Sequence, residues 1–326
     1  MSTPFLLTGV TGGLRAKILD DMLHVHHVPA FSIIATSRSA SNKERFESQG
    51  LQFRAADYFH PETLLAAFEN VENLLFMSSS ERYTPKRNAE HTNVVEAAKA
   101  NGVKRVWYVS LALGGFDNHS RIGFQQAHYA TEAMLRDSGL NYISLRAGVY
   151  SDAFPLFLNW YPSAQSVLLP NLKPPVTHAL VAWTSRDELG EGIAAILAKG
   201  LEAHPSISPQ TDRNIVVLTG PRADPPIALV NALNNARGTH IPVEFLEPRD
   251  WIEACAKDDE GGKGTACFET RLVWMQGVCN GDAKLIDPAL ETLLDRRPET
   301  GPEMVEKLVR ADPVYTWHQN HKTLQK

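Results

Sequence analysis

The run Leu6-Leu7-Thr8-Gly9-Val10-Thr11-Gly12-Gly13-Leu14-Arg15 carries a short apolar stretch into a glycine-rich turn that opens a helix at about Gly13. Glycines suit such a turn because the bend is tight and the backbone must come close to a diphosphate. The helix start adds free N–H groups and the positive end of its dipole. Gly9 and Gly12 match the first two glycines of a G-x-x-G-x-x-G spacing, and the third position holds Arg15. That arginine either loosens helix–strand packing or swings out to place a cation near the phosphates.

The next apolar run ends Ala35-Thr36-Ser37-Arg38. Dinucleotide sites that prefer NAD carry an acidic residue at this strand end for the ribose hydroxyls, whereas arginine suits the 2′-phosphate of NADP. Ser37 and Arg38 therefore point to NADPH as cofactor.

Short apolar runs at 5–8, 31–37, 52–56, 73–78, 105–110 and 142–147 alternate with helix-period segments at 61–70, 86–100 and 125–137. That pattern predicts α/β architecture: a Rossmann-type doubly wound parallel sheet with helices on both faces, strands buried on both sides. The texture changes after Tyr150, where prolines crowd Phe154, Phe157, Trp160 and Tyr161. We expect a dinucleotide-binding domain over 1–152 and a smaller α+β substrate region over 153–326, whose elements return to the core. The latter should contain helices at 186–199, 227–235, 249–256, 268–278 and 302–310 and a strand at 214–218. Residues 258–264, rich in charge and glycine, read as a flexible loop.

Of the 326 residues, 43% are hydrophobic and 21% charged, and the formal charge is −5. This is globular composition, and the mild acidity gives no general attraction for nucleic acid or anionic membranes. No apolar run approaches the about 18 residues of a membrane span, so a cytoplasmic protein is expected. Three cysteines, Cys255, Cys267 and Cys279, stand in no C-x-x-C arrangement and read as reduced thiols. His24, His26 and His27 are short-spaced imidazoles ending a surface helix, whereas a metal needs several converging ligands with carboxylate or thiolate help, and no metal site is expected from them. The aromatics Phe154, Phe157, Trp160, Tyr161 and Trp183 could cover a flat conjugated substrate by stacking, or simply pack the interior.

With the glycine turn, Ser37-Arg38, Asp57-Tyr58, Ser78-Ser79-Ser80 and His128-Tyr129-Ala130-Thr131-Glu132 in view, the chain resembles the NmrA-like group of atypical short-chain dehydrogenases. Within it, the likeness is to NADPH-dependent quinone oxidoreductases and triphenylmethane-dye reductases, over nearly the whole chain. The resemblance implies that Gly9, Thr11, Gly12, Gly13 and Leu14 line the pyrophosphate and Arg38 the adenosine phosphate. Asp57 and Tyr58 would stand on the adenine side and Ser78, Ser79 and Ser80 along the middle of the dinucleotide. Ser110 would lie near the nicotinamide, with Ala147 and Tyr150 in the stretch passing beneath its ring.

Ordinary short-chain dehydrogenases use Tyr-x-x-x-Lys on the helix before that stretch, lysine lowering the tyrosine pKa for proton donation. Here the matching stretch has no lysine, which suits reduction of a quinone-, enone- or imine-like acceptor whose product anion is delocalised. His128 is then the candidate proton donor, with Tyr150 or Tyr129 in reserve. Glu132, one turn on, would orient His128 or decorate a solvated face. The expected partner is a small aromatic or conjugated substrate, for a monomer or homodimer. An NADP-sensing regulatory protein and a non-redox isomerase or cyclase are the rival functions.

Overall fold

The computed structural model describes residues 4–81, 83–209, 213–257 and 259–320, without the Gln319 side chain. Its strands are β1 (Phe5–Leu7), β2 (Ile33–Ser37), β3 (Gln52–Ala55), β4 (Asn73–Met77), β5 (Arg105–Leu111), β6 (Tyr142–Ala147), β7 (Val149–Tyr150), β8 (Val167–Pro170), β9 (Trp183–Thr184), β10 (Ile215–Leu218) and β11 (Val243–Leu246). Its helices are α1 (Leu14–His24), α2 (Lys43–Glu47), α3 (Pro61–Ala67), α4 (Thr84–Ala100), α5 (Gly123–Ser138), α6 (Phe154–Leu158), α7 (Arg186–Lys199), α8 (Pro226–Arg237), α9 (Pro248–Lys257), α10 (Thr265–Cys279), α11 (Ala289–Leu294) and α12 (Gly301–Ala311).

Seven strands form one sheet in the order β10-β6-β5-β4-β1-β2-β3, and every pairing is parallel. The chain winds outward from β1 in both directions, so the order reverses between β1 and β4. A ligand crevice forms at such a point, outside the carboxyl ends of the strands. On one face α1, α7 and α11 bury Leu14, Ile18, Leu189, Ile193 and Leu290 against Leu7, Ala35 and Leu75. On the other, α3, α4 and α5 bury Leu64, Val94, Val95 and Leu135 against Leu6, Phe76 and Tyr108. Alternate side chains of each strand thus enter opposite cores, which is why the strands read as continuous apolar runs.

Residues past 153 contribute β10 to this sheet and α7 and α11 to one of its faces, and build a further core around Trp160, Trp183, Trp251 and Phe268. No helix among the described residues is long and apolar enough to cross a membrane.

Three expectations change. The strand expected from 31 begins at Ile33, because Ala30–Ser32 forms a single 3₁₀ turn that leaves Phe31 exposed. The loop expected to be flexible over 258–264 is pinned: the Lys263 ammonium, buried, pairs with Asp259 at 3.0 Å and donates to the Asn320 carbonyl at 2.6 Å. Asp258 lies outside the described residues. The short strands β7, β8, β9 and β11 and the short helices α2, α6 and α11 are additions, too brief to show a period.

Candidate functional site: the β1–α1 crevice and its surroundings

Two threonines set the glycine turn in place. Thr8 Oγ1 donates to the Leu75 carbonyl (3.0 Å) and accepts from Met77 N–H (3.0 Å), fastening the end of β1 to β4. Thr36 Oγ1 donates to the Leu7 carbonyl (3.1 Å) and accepts from Gly9 N–H (3.3 Å), fastening it to β2. Gly9 itself sits at φ +66°, a region that costs an L side chain about 1 kcal/mol or more. Beyond it Thr11, Gly12 and Gly13 are exposed, and a Cβ placed on Gly12 or Gly13 would meet nothing within 4 Å. The first-turn amides of α1 therefore face open space, as a diphosphate cradle requires.

Arg15 lies over this turn. Its Nη2 donates to the Ser78 carbonyl at 2.9 Å and its Nη1 stands 3.5 Å from the Gly9 carbonyl. At the neighbouring strand end, Arg38 is exposed. It follows Ser37, whose hydroxyl donates to the Ser39 carbonyl (2.7 Å) and accepts from Asn42 Nδ2 (3.1 Å). Neither arginine forms an ion pair among the described residues.

Asp57 and Tyr58 follow β3, which pairs with β2 so that Ala55 stands opposite Ser37. Asp57 Oδ1 accepts from Phe59 N–H (3.0 Å) and Asp57 N–H donates to Thr63 Oγ1 (3.0 Å), shaping the entry to α3. Tyr58 turns inward, donating to the Met77 carbonyl at 2.9 Å and packing edge-on against Phe76. Burial pushes its hydroxyl up to about 12.

After β4, the carbonyl of Ser78 holds Arg15, while Ser79 is spent internally. Its N–H donates to His91 Nε2 (2.9 Å) and its hydroxyl donates to Glu90. Ser80 is exposed. Since Nε2 of His91 accepts, the proton of this neutral ring is on Nδ1, which donates to Thr131 Oγ1 at 2.6 Å, and Thr131 passes its own proton to the Ala127 carbonyl (2.9 Å). Burial, reinforced by Arg87, brings the His91 pKa down to about 3.

Beneath α5 the interior is polar and closed. Glu132 is buried against Arg146 in a bidentate pair, which Ser144 Oγ joins by donating to Oε1 at 2.7 Å. Arg146 also donates to the Gly115 carbonyl and to Asn118 Oδ1 (2.7 Å). Glu132 thus neither orients His128 nor faces solvent, contrary to expectation. A strand as apolar as 142–147 is folded around one arginine, and that arginine demands a carboxylate.

His128 is also buried, its Nδ1 at 2.7 Å from the Tyr108 hydroxyl. Burial first, then the charges of Arg87, His91 and Arg146, hold its pKa well below the ordinary value. The ring is thereby held in its neutral form. The Tyr129 hydroxyl is committed to the Leu113 carbonyl at 2.6 Å. Tyr150 differs: it is half-buried, close enough to Arg15 and Arg186 to feel both charges, and pushed up to about 12 mainly by burial. It keeps its proton throughout the neutral range.

Two expected site residues do not reach the crevice. Ser110 is fully covered, with a hydroxyl that has no hydrogen-bond partner among the described residues. Ala147 is locked between β5 and β10, and its carbonyl accepts from Ala112 N–H at 2.9 Å. Both side chains are buried in the structure, Ser110 at 0% and Ala147 at 1% exposure. The aromatic cover fails for the same reason, since Phe154, Trp160 and Trp183 show no exposure and Tyr161 almost none. Phe157 alone stays half-buried, stacked on Trp274 at 4.6 Å.

Sequence reasoning put Arg146 only in the stretch beneath the nicotinamide, without its carboxylate partner, and missed His91 and Arg87. The last is nine-tenths buried, with Nε donating to the Glu81 carbonyl at 2.6 Å. The signal for Arg146 was a lone charge inside a buried strand; nothing in sequence paired His91 with Thr131.

An open glycine cradle at the reversal point of a parallel sheet defines a dinucleotide-binding protein of the Rossmann type. Residues 9–155 match a family described as NAD(P)H-binding. Over 317 residues, 97% of this chain and 98% of the other, the chain is 36% identical to an NmrA-like family domain-containing oxidoreductase of Aspergillus flavus. The chain belongs to the NmrA-like oxidoreductase family. It superposes on an NADPH-dependent quinone oxidoreductase of Escherichia coli, solved with NADPH, at 26% identity and a TM-score of 0.76, covering 93% of this chain and 99% of that one. A Citrobacter sp. triphenylmethane reductase complexed with NADP(H) gives a TM-score of 0.78 at 24% identity, covering 93% and 99%. The N-terminal half is an NAD(P)H-binding domain, and NADPH as its cofactor agrees with these findings.

Proposed function

We propose that this protein is a reductase that passes a hydride from NADPH to a small conjugated acceptor of the quinone, enone or imine kind. The observation that carries the reading is the open, cation-flanked mouth of α1, where the exposed residues Thr11, Gly12 and Gly13 stand between Arg15 and Arg38. In this reading Gly9, Thr11, Gly12, Gly13 and Leu14 hold the diphosphate by their backbone, and Arg38 with Ser39 and Ser41 takes the 2′-phosphate. Asp57 borders the adenine side, while Ser78 and Ser80 border the middle of the dinucleotide. Residues 1–152 form the nucleotide-binding half, and 153–326 close the substrate side while returning to the sheet. NADPH supplies the hydride when bound; the chain's own task is to hold the acceptor and steady the charge that develops on it.

The choice of acceptor follows from what lies beneath α5. The stretch that carries Tyr-x-x-x-Lys in ordinary short-chain dehydrogenases has a neutral histidine and a carboxylate already paired, so no strong acid faces the crevice. An acceptor whose product anion is delocalised needs only a hydrogen bond. Tyr150, protonated and free of a hydrogen-bond partner among the described residues, would donate that bond.

The test is NADPH oxidation measured across quinones, enones, imines and simple ketones. Turnover with the conjugated acceptors and none with the ketones is expected. Tight NADPH binding without consumption by any acceptor would replace this reading with an NADP sensor, and failure to bind NADPH at micromolar concentration would leave only a non-redox enzyme.

A further inference from the structure

Arg15 stands where the glycine spacing calls for a residue without a side chain, and it stands there unbalanced. It is the second residue of α1, a helix whose first turn holds no acidic residue, so its charge adds to the positive end of the dipole, an unfavourable placement by itself. Its guanidinium reaches only carbonyl oxygens, those of Ser78 and Gly9, and forms no ion pair among the described residues. Those two carbonyls belong to the two sides of the crevice: Gly9 closes β1 and Ser78 follows β4, and β1 and β4 are the strands between which the sheet order reverses. The arm therefore crosses the line that a dinucleotide must follow from the adenosine end at Arg38 toward Tyr150. Its charge already acts on the hydroxyls of Tyr58, bonded to the Met77 carbonyl of β4, and of half-buried Tyr150.

Two uses fit an arm in that position. A plug would keep its clasp and hinder the ligand. A ligand arm would exchange a neutral carbonyl for a phosphate oxygen, and the electrostatics favour the exchange, since guanidinium–phosphate contacts are stronger than guanidinium–carbonyl ones. We propose that Arg15 is a diphosphate-binding residue, which leaves the Ser78 carbonyl when the dinucleotide enters and supplies the charge that the missing glycine's bare backbone could not. The inference rests on the NAD(P)H-binding assignment and deepens it: the turn trades close helix–strand contact for a cation.

The test compares wild type with Arg15→Gln, whose amide can still hold the Ser78 carbonyl, and with Arg15→Lys. Binding is titrated with NADPH, NADH and 2′-AMP, the last carrying the adenosine phosphate but no diphosphate. We expect Arg15→Gln to weaken NADPH and NADH by the same factor, about tenfold, and to leave 2′-AMP unchanged, while Arg15→Lys stays within about threefold of wild type. The salt dependence of NADPH binding should also become shallower in Arg15→Gln. Unchanged or tighter NADPH binding by Arg15→Gln overturns the proposal in favour of a plug, and equal weakening of 2′-AMP overturns it in favour of a folding defect. Wild type that ignores NADPH altogether overturns the underlying assignment as well, and is told apart from the other results by the wild-type titration alone.

Discussion

At the mouth of α1 two arginines, Arg15 and Arg38, meet solvent and carbonyl oxygens but no carboxylate among the described residues. Beneath α5, a few strands away, the charges of Glu132 and Arg146 are buried and joined by two hydrogen bonds. The first region keeps its polar groups available, on a turn whose glycines expose backbone amides. The second satisfies them internally, with Ser144, Asn118 and the Gly115 carbonyl absorbing the remaining donors and acceptors. A charge left without a partner at an open turn points to a ligand, whereas a charge closed off inside the chain points to the fold. The stretch that performs acid chemistry in ordinary short-chain dehydrogenases is here buried, with His128 bonded to Tyr108 and Glu132 to Arg146.

The sharpest way to break this contrast is to open the buried pair. Glu132→Gln leaves the Arg146 guanidinium without a countercharge in the interior, and removing one partner of such a pair costs about 3–5 kcal/mol. Urea unfolding should show a loss of that size. A loss under about 1 kcal/mol would mean that the interior tolerates a free charge, and the distinction between the two regions would fail.

The histidines of the closed region give the next largest effect. His91 and His128 both have folded-state pKa values below the unfolded one, through burial above all. The unfolded chain therefore takes up protons below about pH 6.5 that the folded chain refuses, and stability falls as pH falls. Each histidine should cost about 1.4 kcal/mol per pH unit below that point, down to about 3 for His91. Asp21, Asp152, Glu188 and Asp287, raised by burial, act in the opposite sense. The clean measurement is thus the difference between wild type and His91→Gln across pH 5.5 to 7.5. The variant should lose one proton's worth of slope; parallel curves would show that His91 titrates normally.

Within the open region, Gly9→Ala tests whether the turn must keep its shape. The new Cβ would lie 2.8 Å from Arg15 Nη1 and force an alanine to φ +66°. A cost of about 1–2 kcal/mol is expected, read as NADPH binding weaker by about tenfold or somewhat more. Unaltered affinity would mean that the cradle lies elsewhere.

The two regions were not equally legible in the sequence. The glycine turn between β1 and α1 and the exposed strand end at Arg38 could be located because a tight turn requires particular residues at fixed spacing, and spacing survives in one dimension. The sheet could be read for a similar reason: strands buried on both faces are continuous apolar runs, and 142–147 was bounded to the residue. The closed region depends on pairs far apart in sequence, such as Glu132 with Arg146 and Ser79 with His91. No local pattern announces these contacts; they exist only once β4, β5, β6, α4 and α5 are assembled. Trp160 and Trp183 misled for a related reason, because an aromatic run has the same composition whether it lines a pocket or fills a core.

The smallest expected effects concern the chemistry itself. Tyr150→Phe removes a proton-bearing hydroxyl that has no hydrogen-bond partner among the described residues, and turnover of a quinone should fall about tenfold with NADPH affinity unchanged, since a delocalised anion needs a hydrogen bond rather than full proton transfer. For the same reason the wild-type rate should show no inflection between pH 5.5 and 8 when measured on pre-folded enzyme. Tyr150 stays protonated there because its hydroxyl is pushed up to about 12, and His128 stays neutral because burial holds its pKa well below the ordinary value. An inflection near pH 6.5 that vanishes in His128→Asn would show an imidazole exchanging protons with the acceptor, and the closed region would then have to be read as part of the active site.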